Sequence, residues 1–428
     1  MPLKKISFME SIIIQQNPHW EGNEYSELVQ RAVLSDLLRK LSMRHIQVLT
    51  GIRRCGKSSI FQLVINELMK ENSPKSILSL NMDDPMFYSI WENPAELYTA
   101  IETAEKNTGE KVQYLFLDEV QNVHRWENFV KSTYDSNVFK KIFVTGSNSS
   151  LLDTEYSTLL SGRYFVDKIS PYSLKELYSN SGITDYYTLI KEKVAAMRIV
   201  DECLEWGCFP EIKKTENVEN RLELLKNYFD SIVLKDCVVR HKISDIVTFK
   251  KMLLYLMSNI GSVFSYHSLG KAVGSNENTV KKYLNIFADC YIVSDVSNFS
   301  FSQSIAKRNA HKLYSVDNGI TNAVSYRFWD NKAKLFENFV FNELQKQNPD
   351  EITFANNNGE CDFVVKKGFE FEAIQVCYEL TPANQKREYA GFDKLNNEIE
   401  LKRKIILTYN QEEQMGDIEV IPVWKYFF

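Results

Sequence analysis

Apolar residues in the first part of the chain form two kinds of pattern. Four short runs are apolar almost throughout, namely HIQVLT, KSILSLNMDD, VQYLFLDEVQ and KKIFVTGSN. Between and around them lie stretches in which apolar residues recur every three or four positions, at residues 26–41, 58–69, 94–105 and 126–137. Apolar strands that alternate with amphipathic helices predict a parallel sheet covered by helices on both faces. The pattern therefore predicts an α/β domain over residues 1–171.

The remainder of the chain has a different pattern. Residues 172–258 have mostly helical spacing, and residues 259–330 predict a small helical unit followed by a short pair of strands. A helix at about residues 333–348 opens a final α+β region, which we extend over residues 331–428. A chain of 428 residues is too long for one ordinary core, which agrees with several domains.

Charge and cysteine content narrow the classes of partner and compartment. The chain has 51 Lys and Arg against 56 Asp and Glu, so contact with DNA would need a local basic patch. Its seven cysteines are scattered, which argues against a disulfide framework or a zinc site and indicates reduced thiols in the cytoplasm. The start, MPLKKISFMESIIIQQNPHW, lacks the features of a signal peptide, and no apolar stretch is long enough for a membrane span.

A glycine-rich segment follows the first predicted strand. Residues 51–58 read GIRRCGKS and fit the phosphate-binding pattern G-x-x-x-x-G-K-[ST], with a strand before and a helix after. The glycines let backbone N–H groups point at phosphate oxygens, at the positive end of the helix. We expect Lys57 to reach the β- and γ-phosphates of ATP and Ser58 to bind Mg²⁺. The other expected nucleotide-binding positions are Gly51, Ile52, Arg53, Arg54, Cys55, Gly56 and Ser59.

Two carboxylates end the predicted strand YLFLDEVQ. Ligand-facing residues of an α/β sheet lie at the carboxyl ends of its strands. We expect Asp118 to hold Mg²⁺ through water and Glu119 to act as the general base for the attacking water. A strand that merely ends in two solvated carboxylates is the alternative, and the glycine-rich loop favours hydrolysis over it.

Polar residues also follow the next strand. Ser147 or Asn148, in VTGSNSS, could lie between the attacking water and the γ-phosphate, although such a turn is common. Arg163, in LLSGRYF, could reach a phosphate in its own subunit or in a neighbouring one, and a surface ion pair is the alternative role.

Taken together, GIRRCGKSS, LFLDEVQ, TGSNSSLL and LSGRYF resemble the prokaryotic AAA-type ATPases sometimes called archaeal-type ATPases. The resemblance extends to WGCFPEI, to YFDSIVLKDCVVRHKISD and to the C-terminal strands. It implies an ATPase with a strand inserted between the loop strand and the Asp118–Glu119 strand, followed by a helical and winged-helix region and a restriction-endonuclease-like domain. In related switch-type ATPases a Gly-x-Pro turn approaches the nucleotide, and residues 207–210 contain one residue more than that turn.

The segment FSYHSLGKAVGSNENTVKKYLNIFADCYIVSDVS has the pattern of a winged helix-turn-helix. Its second helix is expected to expose four polar residues, Asn278, Lys281, Lys282 and Asn285. That face could contact double-stranded DNA. Two lysines make a weak basic patch, so a packing or dimerisation module is the alternative.

The C-terminal order of elements, helix, three strands, helix and strand, resembles the core of restriction endonucleases. Glu337 and Asp362 stand where that resemblance implies metal ligands, whereas Gln375 and Cys377 replace a Glu and a Lys. A structural role for Glu337 and Asp362, at a helix start and a strand-edge turn, is the alternative. A thiol supplies no positive charge for developing negative charge, so we expect poor cleavage or none. Glu372 and Glu379 lie nearby in the sequence, but neither is well placed to substitute.

Two functions of different class follow from these patterns. The first is a Mg²⁺-dependent ATPase that drives a module contacting DNA or a protein partner. The second is a slowly hydrolysing ATP switch that acts through assembly, including homo-oligomers. An ATP-regulated nuclease is a third reading, provided that Gln375 and Cys377 are tolerated.

Overall fold

The computed structural model describes residues 8–149, 158–300, 310–325, 332–356, 360–396 and 399–428. The chain divides into two compact units, unit 1 (Met1–Ser170) and unit 2 (Pro171–Phe428). Within the described ranges, no helix is both long and apolar enough to cross a membrane.

Unit 1 is built around a five-stranded parallel sheet. Its strands are β1 (Ile46–Thr50), β2 (Ile77–Asn81), β3 (Tyr114–Asp118), β4 (Lys141–Gly146) and β5 (Tyr164–Lys168). Its helices are α1 (Phe8–Gln16), α2 (Val33–Arg39), α3 (Lys57–Met69), α4 (Tyr88–Glu92), α5 (Glu96–Thr108) and α6 (Trp126–Asp135). The parallel sheet and its helices confirm the P-loop type of fold predicted from the alternating pattern.

The strand order in this sheet is β2-β3-β4-β1-β5. Strand β4 therefore lies between β1, which leads into the glycine-rich loop, and β3, which ends in Asp118. This is the inserted strand that the sequence resemblance implied. Since all the strands are parallel, the carboxyl ends of β1, β3 and β4 meet at one edge of the sheet.

The helix expected over residues 26–41 is shorter than its pattern indicated. Only Val33–Arg39 form an α-helix, and Glu27 has a positive φ of 58° before it. The buried Arg31 donates hydrogen bonds to the carbonyls of Cys55 and Ser170, at 2.9 and 2.7 Å. This segment therefore fastens the glycine-rich loop, a long-range role that helical periodicity does not reveal.

Unit 2 begins with a helical part and a small sheet. The helices are α7 (Leu174–Asn180), α8 (Tyr186–Lys191), α9 (Lys193–Trp206), α10 (Pro210–Lys214), α11 (Val218–Ser231), α12 (Ile246–Met257), α13 (Tyr266–Val273) and α14 (Glu277–Asp289). Residues Ile232–Val239 form a π-helix. The sheet has the order β6-β8-β7, with β6 (Val263–Phe264), β7 (Val293–Ser297) and β8 (His311–Ser315).

The rest of unit 2 contains a six-stranded mixed sheet. It follows α15 (Asn318–Val324) and α16 (Lys332–Lys346) and has the order β13-β14-β12-β11-β10-β9. The strands are β9 (Glu351–Ala355), β10 (Cys361–Lys367), β11 (Glu370–Val376), β12 (Arg403–Thr408), β13 (Glu413–Met415) and β14 (Ile418–Pro422). Two helices complete it, α17 (Gln385–Leu395) and α18 (Val423–Tyr426). The expected order is present as far as β12, and β13 and β14 were not predicted.

Candidate functional site

The glycine-rich loop connects the end of β1 to the start of α3. Gly51 has φ +150°, and a Cβ there would lie 2.0 Å from the carbonyl oxygen of Ile169. Gly56 precedes the helix in the left-handed conformation, with φ 101°. Both positions therefore need glycine, the first because of a close backbone approach and the second because of its dihedral angle.

Lys57 lies in the first turn of α3 and is 96% buried. Its Nζ donates to the carbonyl oxygens of Gly51 and Ile52, at 3.0 and 3.3 Å. The same ammonium lies 3.6 Å from Glu119 Oε1. A buried ammonium is thus held between the loop and a carboxylate at the end of β3, where charged phosphate oxygens would meet it.

Ser58 and Asp118 are joined directly. The Ser58 hydroxyl donates to Asp118 Oδ2 at 2.5 Å, and the Thr145 hydroxyl donates to Asp118 Oδ1. Burial raises the pKa of Asp118, and the adjacent charge of Glu119 adds to that effect. Thr145 was not identified from the sequence, since its position beside Asp118 follows from the pairing of β3 with β4.

Glu119 follows Asp118 in a left-handed conformation with φ 52°. Its backbone N–H donates to the Thr145 hydroxyl at 2.9 Å, and its carboxylate accepts from the Gln121 amide. Burial alone would raise the pKa of Glu119, but Lys57, with help from Gln121, holds that pKa below its ordinary value. The carboxylate therefore stays ionised, the state that a general base requires.

Ser147 and Asn148 lie at the end of β4, and both are fully buried. The Gln121 amide lies 3.4 Å from Ser147 Oγ, and the Thr50 hydroxyl donates to the Asn148 carbonyl at 2.9 Å. The ends of β1, β3 and β4 are therefore linked by side-chain hydrogen bonds. Gln121 and Thr50 were not identified as site residues from the sequence.

The variable positions of the loop have distinct environments. Arg53 Nη1 lies 3.9 Å from Asp83 Oδ2, and Arg54 is exposed with φ 70°. Ile52 and Cys55 are buried, whereas Ser59 is exposed in the first turn of α3. Burial raises the pKa of the Cys55 thiol, so this cysteine is a packing residue.

Arg163 does not join this group. It immediately precedes β5, and its carbonyl accepts from the N–H of Ile46 at the amino end of β1. The loop begins at the other end of β1, about 13 Å away for a strand of this length. Arg163 instead pairs with Asp135 at 2.9 Å. A role at the nucleotide site of the same subunit does not fit this position, and a role in a neighbouring subunit stays a prediction.

The donor set at this edge fits Mg²⁺. The Ser58 hydroxyl and the Asp118 carboxylate are hard oxygen donors that already converge within 2.5 Å. The glycine cradle next to them has no room for a Cβ at Gly51. These residues therefore fit both a polyphosphate in the loop and a magnesium ion beside it.

The proposed nuclease residues lie together in unit 2, but with different partners from those expected. Glu337, Glu360 and Asp362 each place one carboxylate oxygen between 3.0 and 3.2 Å from Lys312 Nζ. In the described part of the chain, no group of three or more His, Cys, Asp and Glu side chains is arranged to hold a metal ion. Lys312 and Glu360 were not identified from the sequence, because a single Lys in a strand gives no distinguishing signal.

Gln375 and Cys377, the residues that replace the implied Glu and Lys, also have defined surroundings in the structure. The Gln375 carbonyl oxygen accepts from the Asp362 N–H at 2.7 Å, and its amide donates to Glu388 at 3.0 Å. Burial raises the pKa of Cys377 to about 11, with Glu388 adding to the effect. Glu372 forms an ion pair with Arg403 at 3.5 Å.

Comparison with known proteins assigns the family. Residues 43–178 match a family model described as an AAA domain, and residues 197–331 and 332–426 match two models of domains of unknown function. The chain is 31% identical over 444 aligned positions to the uncharacterized protein MJ1544 of Methanocaldococcus jannaschii, covering 99% of this chain and 95% of that protein. The chain belongs to the MJ1544 family. Within that family it carries an AAA-type P-loop ATPase domain.

Other matches of this MJ1544 family member are more distant. An uncharacterized protein of Haemophilus influenzae is 27% identical, covering 91% of this chain and 96% of its own length. Among solved structures, Aeropyrum pernix ORC1 in complex with DNA is 13% identical with a TM-score of 0.33, covering 72% of this chain and 96% of that one. AMPPCP-bound DnaA of Aquifex aeolicus is 17% identical with a TM-score of 0.30, covering 63% and 91%. Scores this low support no functional inference.

Proposed function

We propose that this protein is a Mg²⁺-dependent ATPase whose nucleotide state controls a module in unit 2 that contacts DNA or a protein partner. The observation that carries the proposal is the hydrogen-bonded series Ser58–Asp118–Thr145–Glu119 beside the buried Lys57. It brings a hydroxyl, two carboxylates and an ammonium to the edge of the sheet where the phosphate loop begins.

Each residue has one proposed task. The loop N–H groups and Lys57 bind and orient the phosphates, and Ser58 and Asp118 hold the magnesium ion. Mg²⁺, when bound, neutralises charge on the phosphate oxygens. Glu119 accepts a proton from the attacking water, and Ser147 or Asn148 lies between that water and the γ-phosphate. Arg163 would act from a neighbouring subunit of an assembly.

A slow ATP switch is the second candidate, and one observation favours it. The Glu119 carboxylate already accepts a hydrogen bond from Gln121 and lies 3.6 Å from Lys57. Both contacts stabilise the ionised carboxylate and so make it a weaker base toward water. Slow turnover with a nucleotide-dependent change in assembly would follow from that weaker basicity.

For unit 2 we propose a winged-helix region over residues 259–330 and a nuclease-like region over residues 331–428. The first is supported by α13 and α14, which flank the left-handed Gly274, and by the β6-β8-β7 sheet. Four exposed residues of α14 are proposed to face DNA, namely Asn278, Lys281, Lys282 and Asn285. The second is supported by the element order from α16 to β12.

The experiment that tests the proposal is phosphate release from Mg-ATP, with and without duplex DNA. We expect turnover that disappears in Lys57→Ala. Stimulation by DNA should be lost in a Lys281→Glu/Lys282→Glu double variant and kept in Lys226→Glu, which places the same kind of charge change on the exposed face of α11. Full turnover in Lys57→Ala would refute the ATPase assignment. Turnover indifferent to DNA would instead favour a protein partner.

A further inference from the structure

Lys312 is a fully buried lysine at the centre of an acidic cluster in unit 2. Its side chain has no solvent exposure, and its Nζ lies 3.1 Å from Glu337, 3.2 Å from Glu360 and 3.0 Å from Asp362. Burial alone would lower the pKa of Lys312, but the three carboxylates raise it above its usual range. The lysine is therefore charged, and each carboxylate has a cation beside it.

The elements around the cluster aim these side chains at one point. Asp362 lies at a shift in the pairing of β10 with β9, and its second oxygen accepts from the Val376 N–H at 3.0 Å. Such irregularities redirect a side chain relative to a regular strand. Lys312 comes from β8, a strand of the small sheet, so the ammonium enters the cluster from outside the six-stranded sheet.

Glu337 is held from three directions. Its Oε1 accepts from the Tyr314 hydroxyl at 2.7 Å as well as from Lys312, and its Oε2 accepts from Lys334 at 3.2 Å. Burial raises the pKa of Glu337, and Asp362 adds to that effect. Gly261 lies against the same carboxylate, since a Cβ there would be 3.1 Å from Oε1.

The arrangement leaves no place for a divalent ion between these oxygens. A Mg²⁺ or Ca²⁺ ion binds carboxylate oxygens at about 2.0–2.6 Å, from the centre of the group that they surround. That centre is where Lys312 Nζ lies. The Gln375 oxygen, the third ligand that a nuclease-like site would need, accepts from the Asp362 backbone instead.

We infer that Lys312 is an internal cation that takes the place of a divalent metal ion in this cluster, so that the nuclease-like region binds no metal there. Carboxylates that would otherwise need a metal share this ammonium as a counter-ion, and Lys334 adds a second positive charge beside Glu337. The ammonium also joins the small sheet to the six-stranded sheet within unit 2. The cluster consequently stabilises the fold and does not cut nucleic acid.

Metal binding tests this inference on the intact, nucleotide-free protein. Titration with Mn²⁺ followed by EPR should give identical curves for the wild type and for Asp362→Asn. A Mn²⁺ site in the wild type that is lost in Asp362→Asn would overturn the inference, and so would plasmid nicking with Mn²⁺ that Asp362→Ala abolishes. This test does not depend on the ATPase, because Asp362 belongs to unit 2.

The Lys312→Met variant provides a second readout. Removing one partner of a buried charge group should lower the melting temperature of unit 2 by about 10 °C or more. Millimolar Mn²⁺ should recover part of that loss, because a cation can then enter the cluster. The matched control is Lys402→Met, which removes an exposed lysine from its ion pair with the exposed Glu370. That variant should have a melting temperature within a few degrees of the wild type and gain nothing from Mn²⁺. A Lys312→Met protein that is as stable as the wild type would contradict the inference that Lys312 takes the place of a metal ion. So would a variant that is destabilised but not stabilised again by Mn²⁺.

Discussion

The Ser58 hydroxyl donates a hydrogen bond of 2.5 Å to the Asp118 carboxylate, across the edge of the parallel sheet in unit 1. The two residues lie 60 positions apart, on the first turn of α3 and the last position of β3. Their oxygens come together because β4 spaces β1 from β3 and all three strands end at the same edge. The pair is thus a product of the sheet topology.

Changing Asp118 to Asn should weaken Mg-dependent ATP binding and turnover together. The Asp118 carboxylate accepts from both Ser58 and Thr145, so Asn must turn its amide nitrogen toward one of these hydroxyls and loses the negative charge near the metal. We expect turnover to fall by about 10- to 100-fold, the usual effect of changes around a metal site. The measurement is phosphate release over a Mg²⁺ titration, with exposed Asp185→Asn as the control.

On acidification, the wild-type protein should begin to lose affinity for Mg-ATP at a higher pH than it would if Asp118 had the ordinary pKa of an aspartate. Since burial raises the pKa of Asp118, the group takes up a proton at a higher pH, and only the ionised carboxylate serves the metal. The affinity loss should be absent from the Asp118→Asn variant. An Asp118→Asn variant that loses affinity on acidification just as the wild type does would argue against Asp118 as a metal-site residue.

Glu119→Gln should separate binding from hydrolysis. The amide can still accept from Gln121, but it cannot take a proton from water. We expect ATP affinity within about threefold of the wild type and turnover lower by about 10² to 10⁴, the range for loss of a general base. Fluorescent-nucleotide binding and phosphate release measured on the same preparation would check this. Unchanged turnover would assign the proton transfer to another group.

Gly51→Ala should disrupt the loop, because the new Cβ would lie 2.0 Å from the Ile169 carbonyl at a φ of +150°. The backbone of β1 or of residue 169 must move, so we expect a melting temperature lower by several degrees and at least tenfold weaker ATP binding. Gly109→Ala is the matched control, with φ +72° and nothing within 4 Å of the added carbon. Gly109→Ala should lower the free energy of unfolding by only about 1 kcal/mol, the cost of a left-handed dihedral angle for alanine. Equal behaviour of the two variants would contradict the close approach.

The phosphate loop could be predicted from sequence because its residues are contiguous and each has a task set by local backbone geometry. Thr145 could not, since its contact with Asp118 depends on the register that pairs Leu117 with Val144. The residues around Arg163 in the sequence led us to expect this arginine near a phosphate. The parallel pairing of β5 with β1 instead places Arg163 at the amino end of both strands, whereas the phosphate loop follows the carboxyl end of β1. Lys312 was missed for the same reason as Thr145, because a lone lysine in a strand gives no sign of three distant carboxylates.

Arg163→Ala should leave ATP affinity within about twofold of the wild type, since Arg163 lies at the edge of the sheet away from the loop and pairs with Asp135. A role in a neighbouring subunit makes a sharper prediction. Mixing Arg163→Ala with Lys57→Ala, each inactive alone, should restore part of the turnover, because a mixed assembly contains an intact loop facing an intact arginine. Full ATPase activity of the Arg163→Ala variant alone would show that Arg163 takes no part in turnover and only forms its ion pair with Asp135.

Asp317 should make the stability of unit 2 depend on pH. Its buried carboxylate accepts from the N–H groups of Cys208 at 2.6 Å and Gly319 at 2.8 Å, and a Cβ at Gly207 would lie 1.8 Å from it. Burial raises the pKa of Asp317 to about 6, even though hydrogen bonds from the N–H groups of Cys208 and Ile320 lower it. The folded state therefore binds the proton more tightly than the unfolded chain, in which an aspartate has a pKa of about 3.9.

The protonated Asp317 carboxyl therefore contributes to the free energy of unfolding of unit 2. This contribution is fully present below about pH 4 and is lost as the pH rises through about 6. At about 1.4 kcal/mol per pKa unit, the loss amounts to about 2 to 3 kcal/mol. The Asn side chain of Asp317→Asn cannot titrate, so the variant does not suffer this pH-dependent loss. Its altered hydrogen bonds can change the free energy of unfolding, but by an amount that does not depend on pH. Between pH 4 and pH 7.5, the free energy of unfolding of the variant minus that of the wild type should therefore rise by about 2 to 3 kcal/mol. Urea unfolding at several pH values measures the difference, with Glu219→Gln on the exposed face of α11 as the control. A difference between Asp317→Asn and the wild type that is constant with pH would mean that the folded state leaves the carboxyl pKa unchanged.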